Sequence, residues 1–454
     1  MKRFVCGMLV LGLALSLAPF AAAQGGPAVT GLGGEGRALS LKLYGEFDAQ
    51  MRYGNGVYVA GTSTYTTLGD PLDEADSFWG GSPKALVGLQ ADLADKATVL
   101  VELEVPRVND GANVNYFGNT GSEGHLGLGI RQLYLKLDQV ATPDLALTFG
   151  VQQVVSDVRG ANHPLILALG RAESAFGAVA APDEAAAGGL RADYRIGEAG
   201  MLSLFHMIVT SDGTVQGNEL VTGVEGKYTL KLDDKQAIDL DALFYLNNGP
   251  ADETEIWTLG LGACTRDAFV DGLSIWAQFG VNFGDAAEDI DAKGLMFNVG
   301  GQYKLAMDWN PTFGVEYLFV SGDEDATDDE NGDFIAYEDN NDLAILEDKE
   351  FGWDIDTNYS VIKIRAGVAG ELLPSSVKDA TTLEVVLGIA KLDEEYANED
   401  KLGTEVDIKL GWMATKQLNV YAGIAFLTGC DVIEAAGADD SSAHTFWLGT
   451  NVKF

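Results

Sequence analysis

Cysteine, histidine, proline and positive charge are all scarce in this 454-residue chain, and each shortage removes a class of explanation. Of the three cysteines, Cys6 falls in a leader segment discussed below. Cys264 and Cys430 are too few for a disulfide framework and read as small buried hydrophobes, a bridge between them requiring that their strands meet. The four histidines, His125, His163, His206 and His444, are scattered, which leaves no zinc, haem or iron–sulfur spacing. His206 lies near Ser203 and Ser211, yet its parity matches Leu202 and Leu204, so no Ser-His-acid arrangement forms and no enzyme is expected. Twenty-nine bases stand against 68 acids, a net charge of −39. A surface that acidic offers no basic patch to phosphate, which excludes nucleic acid as a partner.

Long apolar runs are absent too, apart from the amino-terminal one. Lys2 and Arg3 precede the run Phe4 to Phe20, and Ala21-Ala22-Ala23 is followed by Gln24, the order of a secretory signal cleaved after Ala23. Residues 1–23 are therefore expected to be a leader and residues 24–454 one mature domain, with no linker rich in Pro or Ser to divide it. No later run of 18 apolar residues reads as a membrane helix.

What the chain has in abundance is alternation. Leu39, Leu41, Leu43, Phe47, Ala49 and Met51 share one parity, while Ser40, Lys42, Tyr44, Glu46, Asp48 and Gln50 share the other. The same division separates Ile238, Leu240, Ala242 and Phe244 from Asp239 and Asp241, and Val406, Ile408 and Leu410 from Glu405, Asp407 and Lys409. Such segments predict strands at 38–51, 83–95, 97–107, 127–138, 144–153, 188–197, 200–210, 218–232, 236–247, 255–266, 271–284, 291–306, 311–321, 357–370, 381–392, 402–415, 417–428 and 443–454. Many reach the roughly 9 to 11 residues that cross a bilayer at a tilt. Short turns such as Asp233-Asp234-Lys235 alternate with long stretches at 52–82, 108–126, 154–187, 322–356 and 429–442. The fold class expected is all-β: a transmembrane antiparallel β-barrel of about 18 strands, with short periplasmic turns and long extracellular loops. A large soluble β protein is the competing architecture, since a soluble strand also has one apolar face.

The last strand, with Phe446, Leu448, Val452 and Phe454 alternating with Trp447, Gly449, Asn451 and Lys453, resembles the carboxy-terminal assembly signal of Gram-negative outer-membrane porins and related barrels. That resemblance implies the cell outer membrane, contact with its lipid, and recognition by the barrel-assembly machinery. A finer similarity, to the 18-stranded alginate-export and porin-like family, rests on Leu145 to Gln153. Gly150 and Gln152 or Gln153 match its Gly-Arg-Gln, and Val151 stands in place of the arginine.

Parity then nominates lumen residues: Lys42, Tyr44, Glu46 and Asp48; Lys227, Thr229 and Lys231; Asp239 and Asp241; Lys363 and Arg365; Glu405, Asp407 and Lys409. On the lipid face an Arg or Lys costs of order 2–4 kcal/mol at midplane, whereas a water-filled interior leaves it ionised. Acid is concentrated elsewhere: Ser321 to Glu350 carries 13 acidic residues and the single base Lys349, within an expected extracellular loop of about 321–356. Its Thr327, Asp329, Asn331, Gly332, Asp333 and Glu338 fall at positions 1, 3, 5, 6, 7 and 12 of a calcium-binding loop, although position 1 lacks its usual Asp and strands flank the stretch. A solvated acidic loop and a Ca2+ site are both open readings, and either draws cations to the mouth. Val154 to Ala187 suits an inward constriction loop, and Asp73 to Ser82 a short cap or exposed patch. Trp276, Trp412 and Trp447 are candidates for interfacial girdles. Two functions follow: a passive channel for small hydrophilic solutes or ions, or a structural, surface-interacting barrel with a closed lumen and an ion-binding loop. Monomer and homotrimer are equally compatible with the pattern.

Overall fold

The computed structural model describes residues 39–55, 77–93, 96–105, 129–156, 165–169, 187–210, 218–249, 254–267, 269–325, 327–337, 340–348, 352–353, 355–396, 398–432 and 442–454. Eighteen long strands form one ring. In chain order they are β1 (Leu39–Asn55), β2 (Ser77–Leu93), β3 (Ala97–Val105), β4 (Gly129–Leu137), β5 (Leu145–Val151) and β6 (Ala187–Ile196). Next come β7 (Gly200–Thr210), β8 (Asn218–Lys231), β9 (Ala237–Asn248), β10 (Glu255–Arg266), β11 (Leu273–Ala287) and β12 (Leu295–Lys304). The rest are β13 (Thr312–Val320), β14 (Tyr359–Gly370), β15 (Thr381–Tyr396), β16 (Glu399–Met413), β17 (Leu418–Thr428) and β18 (Ala443–Lys453). Each pairs antiparallel with the strand before and after it, and β1 also pairs with β18 from Glu46↔Lys453 to Asn55↔His444. The sheet closes on itself and has no edge.

Side-chain distribution decides what surrounds the ring. Leu43, Leu204, Val315 and Ile364 are 51%, 53%, 56% and 47% exposed, whereas Glu104, Lys363, Glu405 and Asp407, on the opposite parity, are 0% exposed. Apolar groups face outward and charged groups inward, the reverse of a soluble sandwich. His206 belongs to the outer face, with Nδ1 2.7 Å from Thr222 Oγ1. Trp447 faces inward beneath Arg52, while Trp412 shares the outward parity of Leu410. Cys264 and Cys430 are both buried thiols.

The connections are of two kinds. One end of the barrel carries tight turns such as that joining β8 to β9, where the Asp233 carboxylate accepts the N–H groups of Lys235 and Gln236 at 2.8 and 2.7 Å. Those bonds, Gln236 first, hold its carboxyl below the ordinary range. The other end carries the long segments, including 56–76, 106–128, 152–186, 321–358 and 429–442.

The seam is fixed by backbone pairing. Phe454 N–H donates to Gly45 O and Gly45 N–H donates to Phe454 O, each at 2.9 Å. Removal of Phe454 is expected to lower barrel stability by about 1–3 kcal/mol, two backbone bonds. Thermal unfolding in detergent, compared with the Phe454→Ala chain that keeps both bonds, checks it.

One boundary differs appreciably from expectation. The sequence predicts β2 from residue 83, but pairing with β1 runs back to Asn55↔Ser77. Among the described residues, partners on β3 begin at Ala85↔Val105. The stretch from Ser77 to Ser82 is therefore wall strand, not a cap.

Candidate lumen constriction

Two of the long connections turn into the barrel. The first follows β5, whose backbone bends at Gly150 (φ +120°) while pairing with both neighbours continues to Val151; a Cβ there would sit 2.2 Å from Leu133 O. Past the bend, Val154–Ser156 and Leu167–Leu169 form a two-stranded hairpin. Val154, Leu167 and Leu169 are buried against the inner wall. Ser156 Oγ donates to Asp241 Oδ2 at 2.8 Å, and Lys227 Nζ to Val155 O at 3.4 Å.

The second is the acidic loop between β13 and β14. The sequence places it outside the barrel, as a solvated, cation-attracting segment. Instead its stretch 340–348 descends onto the inner wall, with Leu343, Ala344, Ile345 and Leu346 0–6% exposed. The apolar tetrapeptide, not the surrounding carboxylates, sets its position: about 25 cal/mol per Å² of buried apolar surface draws it inward. Its four successive amide groups then need acceptors, as at any helix-like start. All four are met by carboxylates. Leu343 N–H donates to Glu347 Oε2 (3.0 Å), Ala344 to Asp407 Oδ2 (3.0 Å), and Ile345 and Leu346 to the two oxygens of Glu405 (2.7 and 2.9 Å). Carbonyl groups are matched likewise: Lys409 Nζ donates to Asp342 O and Arg52 Nη2 to Ala344 O.

Side-chain charges complete the anchor. Lys363 Nζ reaches Asp342 Oδ2 at 3.1 Å and Glu347 at 2.7 Å; Arg365 Nη2 reaches Asp342 at 2.6 Å and Glu316 at 3.4 Å. Arg52 spans Asp348 (2.7 Å) and Thr445 Oγ1 (2.8 Å), with its guanidinium 5.3 Å from the Trp447 ring centroid. Burial lifts the Glu347 carboxyl above its ordinary range, with Lys363 opposing the shift.

The wall is shaped for this loop. Register runs Glu316↔Lys363↔Gly388↔Glu405 across β13 to β16. Gly388 leaves the gap in that row, and a Cβ on it would lie 2.6 Å from Leu343 Cδ1. Gly388→Val, which suits a strand, is expected to expel Leu343 and widen the lumen while the ring still closes. An increase in single-channel conductance checks it; an unchanged value would show that Leu343 does not limit the bore.

The sequence-nominated lumen residues fall into three sets. Lys363, Arg365, Glu405, Asp407 and Lys409 converge on the docked loop. Lys227 and Asp241 meet the hairpin, Lys227 lying 2.9 Å from Glu225 and 3.8 Å from Asp241. The others line the wall nearer the short turns. Lys42 pairs with Asp92 at 3.6 Å, Tyr44 donates to Glu102 at 2.7 Å, and Glu46 lies 3.5 Å from Lys453. Asp48 accepts from Tyr421 at 2.7 Å, Thr229 donates to Asp239 at 2.7 Å, Asp239 pairs with Arg266 at 2.7 Å, and Lys231 is exposed at the β8 end. Sequence reasoning missed Arg52, Glu316, Asp342, Glu347 and the pairs of Lys84 and Arg131 with Glu104 at 3.1 and 3.6 Å. Arg52 continues the parity of Lys42 to Asp48 but lies one residue beyond the predicted strand end.

Several atoms at the calcium-like positions take part in hydrogen bonds within the loop region. Thr327 Oγ1 donates to Asp325, and Asp329 O and Asn331 O accept from Asp291 and Lys293, whose residues 291–292 pair in parallel with 330–331. Asp333 accepts from Thr357 at 3.4 Å, and Glu338 lies outside the described residues. Beside them Asp285, Glu288, Asp289, Asp291 and Asp329 line a basin of about 600 Å³ at the long-loop rim, with no base among the lining residues.

No protein-family model matches the chain, and no curated protein matches it in sequence. Solved structures do. The chain is similar to Pseudomonas aeruginosa OccK8 (OprE), with a TM-score of 0.57 at 9% identity over 91% of this chain and 98% of that one. Acinetobacter baumannii OccAB1 gives 0.55 at 11% over 95% and 100%, and Pseudomonas aeruginosa OpdK, solved with vanillate, 0.50 at 12% over 91% and 98%. These neighbours are outer-membrane porins, and what the chain shares with them is a fold: a closed, 18-stranded antiparallel barrel.

Proposed function

We propose that the chain is a passive outer-membrane channel for small hydrophilic solutes or ions, with a bore set by the inward loop 340–348. The observation that carries this reading is the inverted ring, apolar outside and charged inside, with a loop pinned to its inner wall. A ring of 18 strands encloses more space than its own side chains fill, so inserted segments determine what passes. No covalent step is involved, and the porin fold of the solved neighbours agrees. The finer likeness to alginate exporters gains no support from Val151 at the arginine position, so an anionic polysaccharide is not the solute favoured here.

Charge at the long-loop mouth favours cations. The basin around Asp285, Glu288, Asp289, Asp291 and Asp329 concentrates them before the constriction. Purified protein in planar bilayers is expected to conduct, with a reversal potential in asymmetric KCl that reports cation preference. Anion preference would contradict the electrostatic argument.

The same docked loop also supports the second reading, a structural barrel with its lumen closed. Folded protein that shifts mobility on heating yet carries no current would select that reading over the channel.

A further inference from the structure

On the long-loop side of the constriction, a cavity of about 380 Å³ lies between the inner wall of β8 to β14 and the segment 331–337. We infer that this cavity binds a small organic cation with an apolar body, an ammonium or guanidinium on an aromatic or aliphatic frame. The inference rests on the channel reading, because a solute entering from that side meets this cavity before the docked loop.

The chemistry of the lining is one-sided. Glu219, Asp333 and Asp356 contribute carboxyl groups, and no Lys, Arg or His lines it among the described residues. An anion finds no cationic partner among them. Asn247 adds a second, independent indication: it is 9% exposed, and its buried Oδ1 has no hydrogen-bond donor among the described residues. Its amide is oriented, because Nδ2 donates to Glu219 Oε2 at 3.3 Å. Tyr337 donates to the same oxygen at 2.5 Å, so both bonds fall on Oε2. Glu219 Oε1 and Asn247 Oδ1 are thus two acceptors that a ligand N–H group can satisfy, and a buried acceptor left without a donor is costly.

The remaining walls are apolar and aromatic. Tyr245 and Tyr337 lie 6.4 Å apart with ring planes inclined at 47°, and Phe334 and Met296 also line the space. Rings of this kind attract a cation to their faces and give an apolar body something to cover. The volume is in the range that holds small molecules, far more than a bare metal ion occupies. Among the described residues, no three carboxyl, histidine or cysteine groups gather as a metal site requires. Burial, reinforced by Asp323, keeps the Asp333 carboxyl above its ordinary range.

The test uses full-length protein folded in detergent micelles and titrated calorimetrically with 2-phenylethylammonium, 2-phenylethanol and 3-phenylpropanoate. The ammonium is expected to bind about tenfold or more tighter than the other two. Glu219→Gln and, separately, Asn247→Leu should each weaken it about tenfold without affecting heat-dependent gel mobility. Equal binding of the alcohol, or binding unchanged in both variants, overturns the inference. Conductance is recorded on the same preparations. A conducting barrel that ignores the ammonium overturns the site alone, whereas binding without conductance upholds the site and overturns the channel reading.

Discussion

Replacing residues 341–347 with a glycine-serine segment of equal length is expected to raise single-channel conductance several-fold. The native segment covers the inner wall with Leu343 to Leu346, and its amides occupy Glu405 and Asp407. Glycine and serine supply no apolar surface to hold the chain against Val386, Ala390 and Tyr359, so the docked state loses its driving force. The ring itself does not depend on the loop, because its hydrogen bonds run between neighbouring strands. Once the segment leaves, the wall carboxylates and Lys363 face water and need no protein partner. Planar-bilayer recordings of the two proteins, each verified by heat-dependent mobility, measure the effect. Equal conductances would mean that current bypasses the loop and that the bore is set elsewhere.

The contrast between wall and loop explains what the sequence made legible. Strand parity is strongly encoded because a one-residue slip would turn Leu204, Ile364 and Ile408 inward and Lys363 and Asp407 toward lipid. That penalty recurs along every strand, so the ring, its closure and the inward residues can be read from alternation. Loop placement has no such periodic signal. Thirteen acids between Ser321 and Glu350 suggest solvent, yet burial is decided by the short apolar stretches Phe334 to Tyr337 and Leu343 to Leu346. A counterpart to those stretches was present in the wall. Alternation weakens where Phe205, Met207 and Val209 face inward while Leu204 and Ile208 face outward, and where Leu243 and Tyr245 lie opposite Phe244 and Leu246. Strands apolar on both faces require cover on both. Outside, lipid supplies it; inside, only a folded-in loop can. What remained beyond reach was pairing: neither parity nor composition tells which wall carboxylate meets which loop amide, because partners such as Glu405 and Ile345 are far apart in the chain.

Lys363→Met should release the same loop by electrostatics alone. Lys363 is 0% exposed and sits between Asp342 and Glu347, themselves 6% and 1% exposed, with Glu316 opposite it on β13. Methionine preserves much of the volume but leaves the buried Glu347 carboxylate without its cation, while Asp342 keeps Arg365 at 2.6 Å. Breaking a buried pair from one side costs about 3–5 kcal/mol. The chain has an outlet that avoids most of this: Asp342 and Glu347 belong to the loop and regain water if 340–348 undocks. The penalty is therefore expected to appear as conductance approaching that of the loop-replaced protein, with little change in thermal unfolding of the ring. A second variant separates charge from shape. Lys363→Met combined with Glu347→Leu removes the stranded charge and, if burial of an ion pair is close to neutral against apolar replacement, allows the loop to return. Conductance should then fall back toward the native value. If the double variant stays as open as Lys363→Met, the loop is held by the directed hydrogen bonds that Glu347 accepts from Leu343 N–H and Tyr359 rather than by charge compensation, and the anchor must be assigned to those bonds.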